Sequence, residues 1–180
     1  MKKLMLAIIF MVIAKIGLSQ GVSFGIKAGT NYSNIYSTGL KTDFKQGFHA
    51  GVYGKINAII FAIQPEVLLS KRGYTETNIR DISMYYIDVP IMFKMKIFPA
   101  VTIDAGPQFS YLLTETIDNL SITNPVMPDY KNAEMSGALG ASLQIWKLGA
   151  SARYILGFSE INKLNTSKNQ IFQLSLSLKL

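Results

Sequence analysis

The last ten residues, Ile171 to Leu180, alternate without a break. Phe172, Leu174, Leu176, Leu178 and Leu180 fall on one side, and Gln173, Ser175, Ser177 and Lys179 on the other. A period of two is the repeat of a β-strand, whose successive side chains point to opposite faces. Termini of water-soluble domains are ordinarily polar and frayed, so an apolar strand at this position narrows the choice of fold sharply. It fits the closing strand of a transmembrane β-barrel, with lipid on one face and a polar interior on the other.

The opening of the chain is of another kind. Lys2 and Lys3 precede an apolar run from Leu4 to Ala14, too short to cross a bilayer as a helix. Gly17-Leu18-Ser19 then supplies small residues for cleavage before Gln20. Residues 1–19 are expected to be a signal peptide, and residues 20–180 a single exported barrel domain. Of the 18 basic residues, Lys2, Lys3 and Lys15 leave with the leader, so 15 face 11 acidic ones. A net charge of about +4 gives no support for nucleic-acid binding. With no cysteine, there is neither a disulfide framework nor a lipid-anchor cysteine.

Period-two segments recur seven more times. They cover Val22–Tyr32, Gly47–Asn57, Ile60–Lys71, Met84–Ile97, Val101–Thr114, Glu134–Ile145 and Leu148–Phe158. Short turns join alternate pairs: Ala58-Ile59, Phe98-Pro99-Ala100 and Trp146-Lys147. The remaining links are long and polar: Ser33–Gln46, Arg72–Ser83, Glu115–Ala133 and Ser159–Gln170. Short turns at one end and long loops at the other predict an all-β, eight-stranded antiparallel up-and-down transmembrane β-barrel, with short periplasmic turns and long extracellular loops. A soluble lipocalin-like barrel has the same strand count with its apolar face inward. The glycine, serine and scattered single charges of the polar face, with aromatics near the strand ends, favour lipid outside.

The inward face then carries the charges. Lys27, Lys55, Glu66, Asp88, Lys94, Lys96, Asp104 and Arg153 are expected to form a polar plug of the lumen, with Glu134 and Lys179 on the same face. Eight strands enclose a space just wide enough for side chains to fill, and charges there must pair to offset desolvation. Pro65, Pro90 and Pro107 fall on three consecutive strands, where a missing donor implies a bulge or a local break, and a shared band of bulges at one height in the periplasmic part of the wall is expected. His49 is the sole histidine. Catalysis would need it beside an activated serine or a carboxylate, and no motif of an outer-membrane hydrolase accompanies it. No metal-ligand spacing and no phosphate loop stand out, so no cofactor is expected.

Several segments taken together resemble the PorT-like outer-membrane β-barrel family. They are Gln64-Pro65-Glu66-Val67-Leu68-Leu69-Ser70, Tyr86-Ile87-Asp88-Val89-Pro90-Ile91-Met92-Phe93-Lys94 and Ala105-Gly106-Pro107-Gln108. Phe24 to Asn34, Gly47 to Val52, Ala152-Arg153-Tyr154 and Asn169 to Leu174 extend the resemblance over the mature chain in order. It implies an outer-membrane protein of a Gram-negative bacterium, surrounded by lipid and inserted by the barrel-assembly machinery. A non-catalytic structural or interaction role is the expected function. A place in a secretion or surface-assembly machine, with envelope-protein partners, is what the family's namesake suggests. An outer-membrane enzyme using His49 is the third reading.

Overall fold

The chain closes into a barrel of eight strands. β1 spans Val22–Tyr36, β2 Thr42–Asn57, β3 Phe61–Glu76, β4 Arg80–Lys96, β5 Val101–Asp118, β6 Ala133–Ile145, β7 Leu148–Gly157 and β8 Lys168–Lys179. The computed structural model describes residues 21–36, 42–76, 80–118, 133–158 and 168–180. The expected signal peptide, residues 1–19, lies outside the described residues. Each strand pairs antiparallel with the next, and β8 pairs back onto β1, so the up-and-down barrel expected from the sequence is the fold that forms.

Side-chain burial follows the alternation. On β8, Leu174, Leu176 and Leu178 are exposed, while Ile171, Gln173 and Ser175 are buried. The same holds on β1, where Phe24 and Ile26 face out and Ser23 and Lys27 face in. A wall that shows its large apolar side chains to the surroundings and buries its polar ones is turned inside out relative to a soluble barrel. The interior is not purely polar, however. Met92, Ala138, Ile155 and Ile171 pack together inside, and Tyr53, Leu68 and Tyr86 are buried there too.

Two expectations about the wall are corrected. The strands outrun the apolar alternation: β3 continues to Glu76 and β4 begins at Arg80, so most of the expected loop Arg72–Ser83 is ladder, with Arg72 opposite Met84 and Gly73 opposite Ser83. β1, β2 and β5 likewise reach Tyr36, Thr42 and Asp118. Alternation marks only the part of a strand set against a greasy surround, whereas ladder hydrogen bonds form regardless of side-chain polarity. The prolines, for their part, break the ladder without shifting it. Register is continuous past Pro65 on both sides, yet consecutive pairs are missing at Gly54/Pro65, at Glu66/Pro90 and at Ile91/Pro107. The register shifts that do occur lie between Phe44 and His49 and between Tyr85 and Tyr86, nearer the long-loop end.

Candidate functional site

The inward residues converge on Glu66 of β3. Lys27 of β1 donates to its Oε2 at 3.1 Å. Arg153 of β7 reaches it with both terminal nitrogens, Nη1 to Oε2 at 2.9 Å and Nη2 to Oε1 at 2.7 Å. Gln64, two residues back on the same face, donates to Oε1 at 2.7 Å. Bidentate guanidinium–carboxylate pairing adds fixed geometry to the charge attraction. Arg153 can lie across the interior because its ladder partner is Gly140. A Cβ there would collide with the Arg153 side chain.

The network continues toward the short-turn end. Arg153 Nη2 lies 3.6 Å from Asp104 of β5, and Asp104 takes the ammonium of Lys94 at 2.9 Å. Thr102 donates to Asp104 at 3.0 Å, and Ser142 of β6 both donates to Asp104 and accepts from Lys94 at 2.8 Å. Toward the long-loop end a second unit joins Arg72 of β3 to Asp88 of β4. Ser70 also donates to Asp88, and Arg72 lies 4.7 Å from the centre of the Tyr86 ring. The Tyr86 hydroxyl donates to Glu134 at 3.3 Å. Four cations, Lys27, Arg72, Lys94 and Arg153, thus stand buried with three carboxylates, Glu66, Asp88 and Asp104.

A third cluster surrounds His49. Its Nδ1 is 2.9 Å from Asn31 Oδ1, and its Nε2 is 2.9 Å from Ser175 Oγ. Asn31 Oδ1 also accepts from Gln173 at 3.1 Å. Because that oxygen only accepts, Nδ1 carries the imidazole proton and Nε2 accepts from the Ser175 hydroxyl. The order serine, histidine, asparagine is one that could activate a nucleophile, but His49 is 1% exposed and Ser175 6%. A hydroxyl so enclosed offers no approach to an ester or amide carbonyl. The cluster instead fastens β2 to β8 across β1, with Gly29 opposite His49 leaving room for the ring.

Of the residues expected in the plug, Lys27, Glu66, Asp88, Lys94, Asp104 and Arg153 are enclosed and paired. Lys55 is half-buried at the short-turn mouth. Lys96 is exposed on the rim, its Nζ 3.5 Å from the Ile59 carbonyl. It occupies the last position of β4, beyond which no wall remains to cover it. Arg72 is the main residue that the sequence reading missed. It continues the inward parity of Glu66 and Ser70, but the alternation places the strand end at Lys71, with Arg72 opening the polar link Arg72–Ser83. Among the described residues no group of His, Asp and Glu is placed to hold a metal ion.

A protein-family model described as outer membrane protein beta-barrel domain matches residues 16–163. Among curated proteins, none matches the chain. Among solved structures, the chain resembles the crystal structure of Ail, the attachment invasion locus protein of Yersinia pestis, in complex with the heparin analogue sucrose octasulfate. Identity is 16% and the TM-score 0.58, over 89% of this chain and 100% of that one. Neisserial surface protein A is similar at 13% identity and a TM-score of 0.63, over 89% and 100% of the two chains. At such identities the likeness is one of fold.

Proposed function

Since the chain belongs to the outer membrane protein beta-barrel domain family, we propose that it is a non-catalytic outer-membrane barrel with a plugged lumen, serving a structural or protein-interaction role. The observation that carries this reading is the set of contacts around Glu66, which ties β1, β3 and β7 together through the middle of the barrel. With Asp104, Lys94 and Ser142 it extends to β4, β5 and β6. An eight-stranded interior is no wider than its side chains, so residues bridging it leave no continuous column of water. The enclosure of His49 and Ser175 supports the absence of catalysis. A signal peptide at residues 1–19, a Gram-negative host and insertion by the barrel-assembly machinery complete the proposal. The placement among PorT-like barrels, with a role beside a secretion machine, rests on the Gln64–Ser70, Tyr86–Lys94 and Ala105–Gln108 segments.

Planar-bilayer recording tests it. The purified monomer is expected to give no large, long-lived conductance, and a Glu66→Ala/Arg153→Ala double variant is expected to pass small currents once the bridge is gone. Reproducible large conductance from the parent protein would overturn the plugged-lumen reading.

A further inference from the structure

Charge is divided unequally between the two ends of the barrel. Among the described residues, Asp43, Glu76, Asp81, Glu115, Asp118 and Glu134 stand toward the long-loop end by register. At the short-turn end the inward parity carries Lys55 of β2, Lys96 of β4 and Lys179 of β8. Lys55 is half-buried, and the other two are exposed at the rim. Lys55 stands within electrostatic reach of Lys94, Lys96 and Lys179, and of the carboxylate of Asp104. That carboxylate is already taken, by the ammonium of Lys94 at 2.9 Å. Among the described residues, Lys55, Lys96 and Lys179 make no ion pair. Lys96 Nζ reaches only a backbone oxygen, the Ile59 carbonyl at 3.5 Å.

The three lysines border a shallow basin whose floor is closed. Tyr53, two positions inward of Lys55, is buried, and its ring fills the space that a side chain at Gly25 would need. Beside it Lys94, Thr102 and Ser142 are all engaged with Asp104. Ser23, the ladder partner of Lys55, and Ser177, two residues before Lys179, add hydroxyls on the same parity. A cleft lined by one sign of charge, with walls of low dielectric, focuses its field and concentrates counter-ions. Ammonium groups gathered there without a carboxylate repel one another until an anion arrives.

We propose that this mouth binds a polyvalent oxyanion of the phosphate class, borne by a soluble molecule of the periplasm, with Lys55, Lys96 and Lys179 as its ligands. The inference rests on the plugged-lumen reading, which closes the floor, and on the short turns being periplasmic. Three ammonium groups with no free acid among them call for more than one negative charge. A lone carboxylate would leave two of the three unanswered. Lysine binds phosphate as a point charge, and the hydroxyls of Ser23 and Ser177 can donate to further oxygens. The opening is no wider than the side chains that fill an eight-stranded barrel, so a folded partner does not enter. Acyl chains meet the opposite parity, outside the wall, which makes a lipid headgroup the poorer source of the phosphate.

Calorimetric titration of inorganic phosphate into the refolded barrel, held in neutral micelles at mildly alkaline pH, tests the site. Sodium chloride at equal ionic strength is the blank. Saturable binding of one phosphate per barrel is expected, weakened about tenfold by Lys55→Gln and by Lys179→Gln. Lys71→Gln makes the same charge change beside Tyr85 on the outward face and should leave binding as it was. Because the mouth lysines repel one another, both mouth variants should melt no lower than the parent in phosphate-free buffer, read by heat-modifiable gel mobility. Phosphate should then raise the parent's midpoint more than theirs. Absence of saturable heat overturns the proposal, as does an equal loss in Lys71→Gln or lower phosphate-free stability in both mouth variants. Displacement of phosphate by a single phosphatidylglycerol per barrel would assign the site to a headgroup, and preferential binding of polyglutamate to an acidic polypeptide; either overturns it. Conductance of the same preparation reports the plug separately. A parent that conducts fails the plugged-lumen reading, and a closed parent that binds no phosphate fails this proposal alone.

Discussion

Single residues in the interior act through their partners, and Glu66 has the most. It neutralises Lys27 and Arg153 and takes the amide of Gln64. Glu66→Gln keeps the shape but leaves two enclosed cations facing each other, which should cost about 3–5 kcal/mol of folding free energy. Lys27→Met alone removes one cation and should cost less. In the Glu66→Gln/Lys27→Met double variant, part of the loss should return, because removing both members of a buried pair is far less damaging than removing one. Urea titrations of vesicle-refolded protein over the full cycle measure this. Strict additivity of the two single changes would show that the pair is not coupled. Glu66, Arg153 and Asp104 were legible as inward groups from parity alone. Which cation each carboxylate takes was not, since pairing across the lumen depends on strand stagger that a sequence does not display.

At the scale of elements, alternation located all eight strands and assigned their faces, β8 most plainly. If Leu176 meets acyl chains near the midplane, Leu176→Arg should cost about 2–4 kcal/mol, diminishing as the same change is moved along the outward face toward either end. Ser177→Arg, on the inward parity near the mouth, should show crowding but no such depth profile. Refolding titrations in vesicles compare the two, and a Leu176→Arg variant as stable as the parent would mean that this face does not touch lipid. What alternation could not give was the strand ends. Arg72, Gly73 and Ser83 belong to the β3–β4 ladder, but they carry no alternation of apolar and polar side chains to mark it. The prolines misled for a related reason. Residues next to Pro65, Pro90 and Pro107 lose pairs without gaining the extra residue that a bulge requires, and the two outcomes look alike in a sequence.

The whole molecule is asymmetric in both height and charge. β1 to β5 hold 15 to 18 residues and β7 only 10, although about 9–11 suffice to cross a bilayer. The taller side therefore rises beyond the apolar band on the long-loop side as paired, polar sheet. At the other end, Lys55, Lys96, Lys147 and Lys179 gather around the mouth and the turns, while the enclosed carboxylates are already engaged inside. The seam between β1 and β8 has a consequence in time rather than in space. Asn31 and Gln173, which meet across it, are 142 positions apart in the chain, and of all the strand pairs this one joins the most distant segments, so it carries the largest loop-closure entropy and does not form early. Until it forms, the first and last strands each present a row of unpaired amides and carbonyls, and in hydrocarbon every one of them is costly. A partly assembled sheet is therefore a costly species in the bilayer, and it is the meeting of the first and last strands that removes the cost.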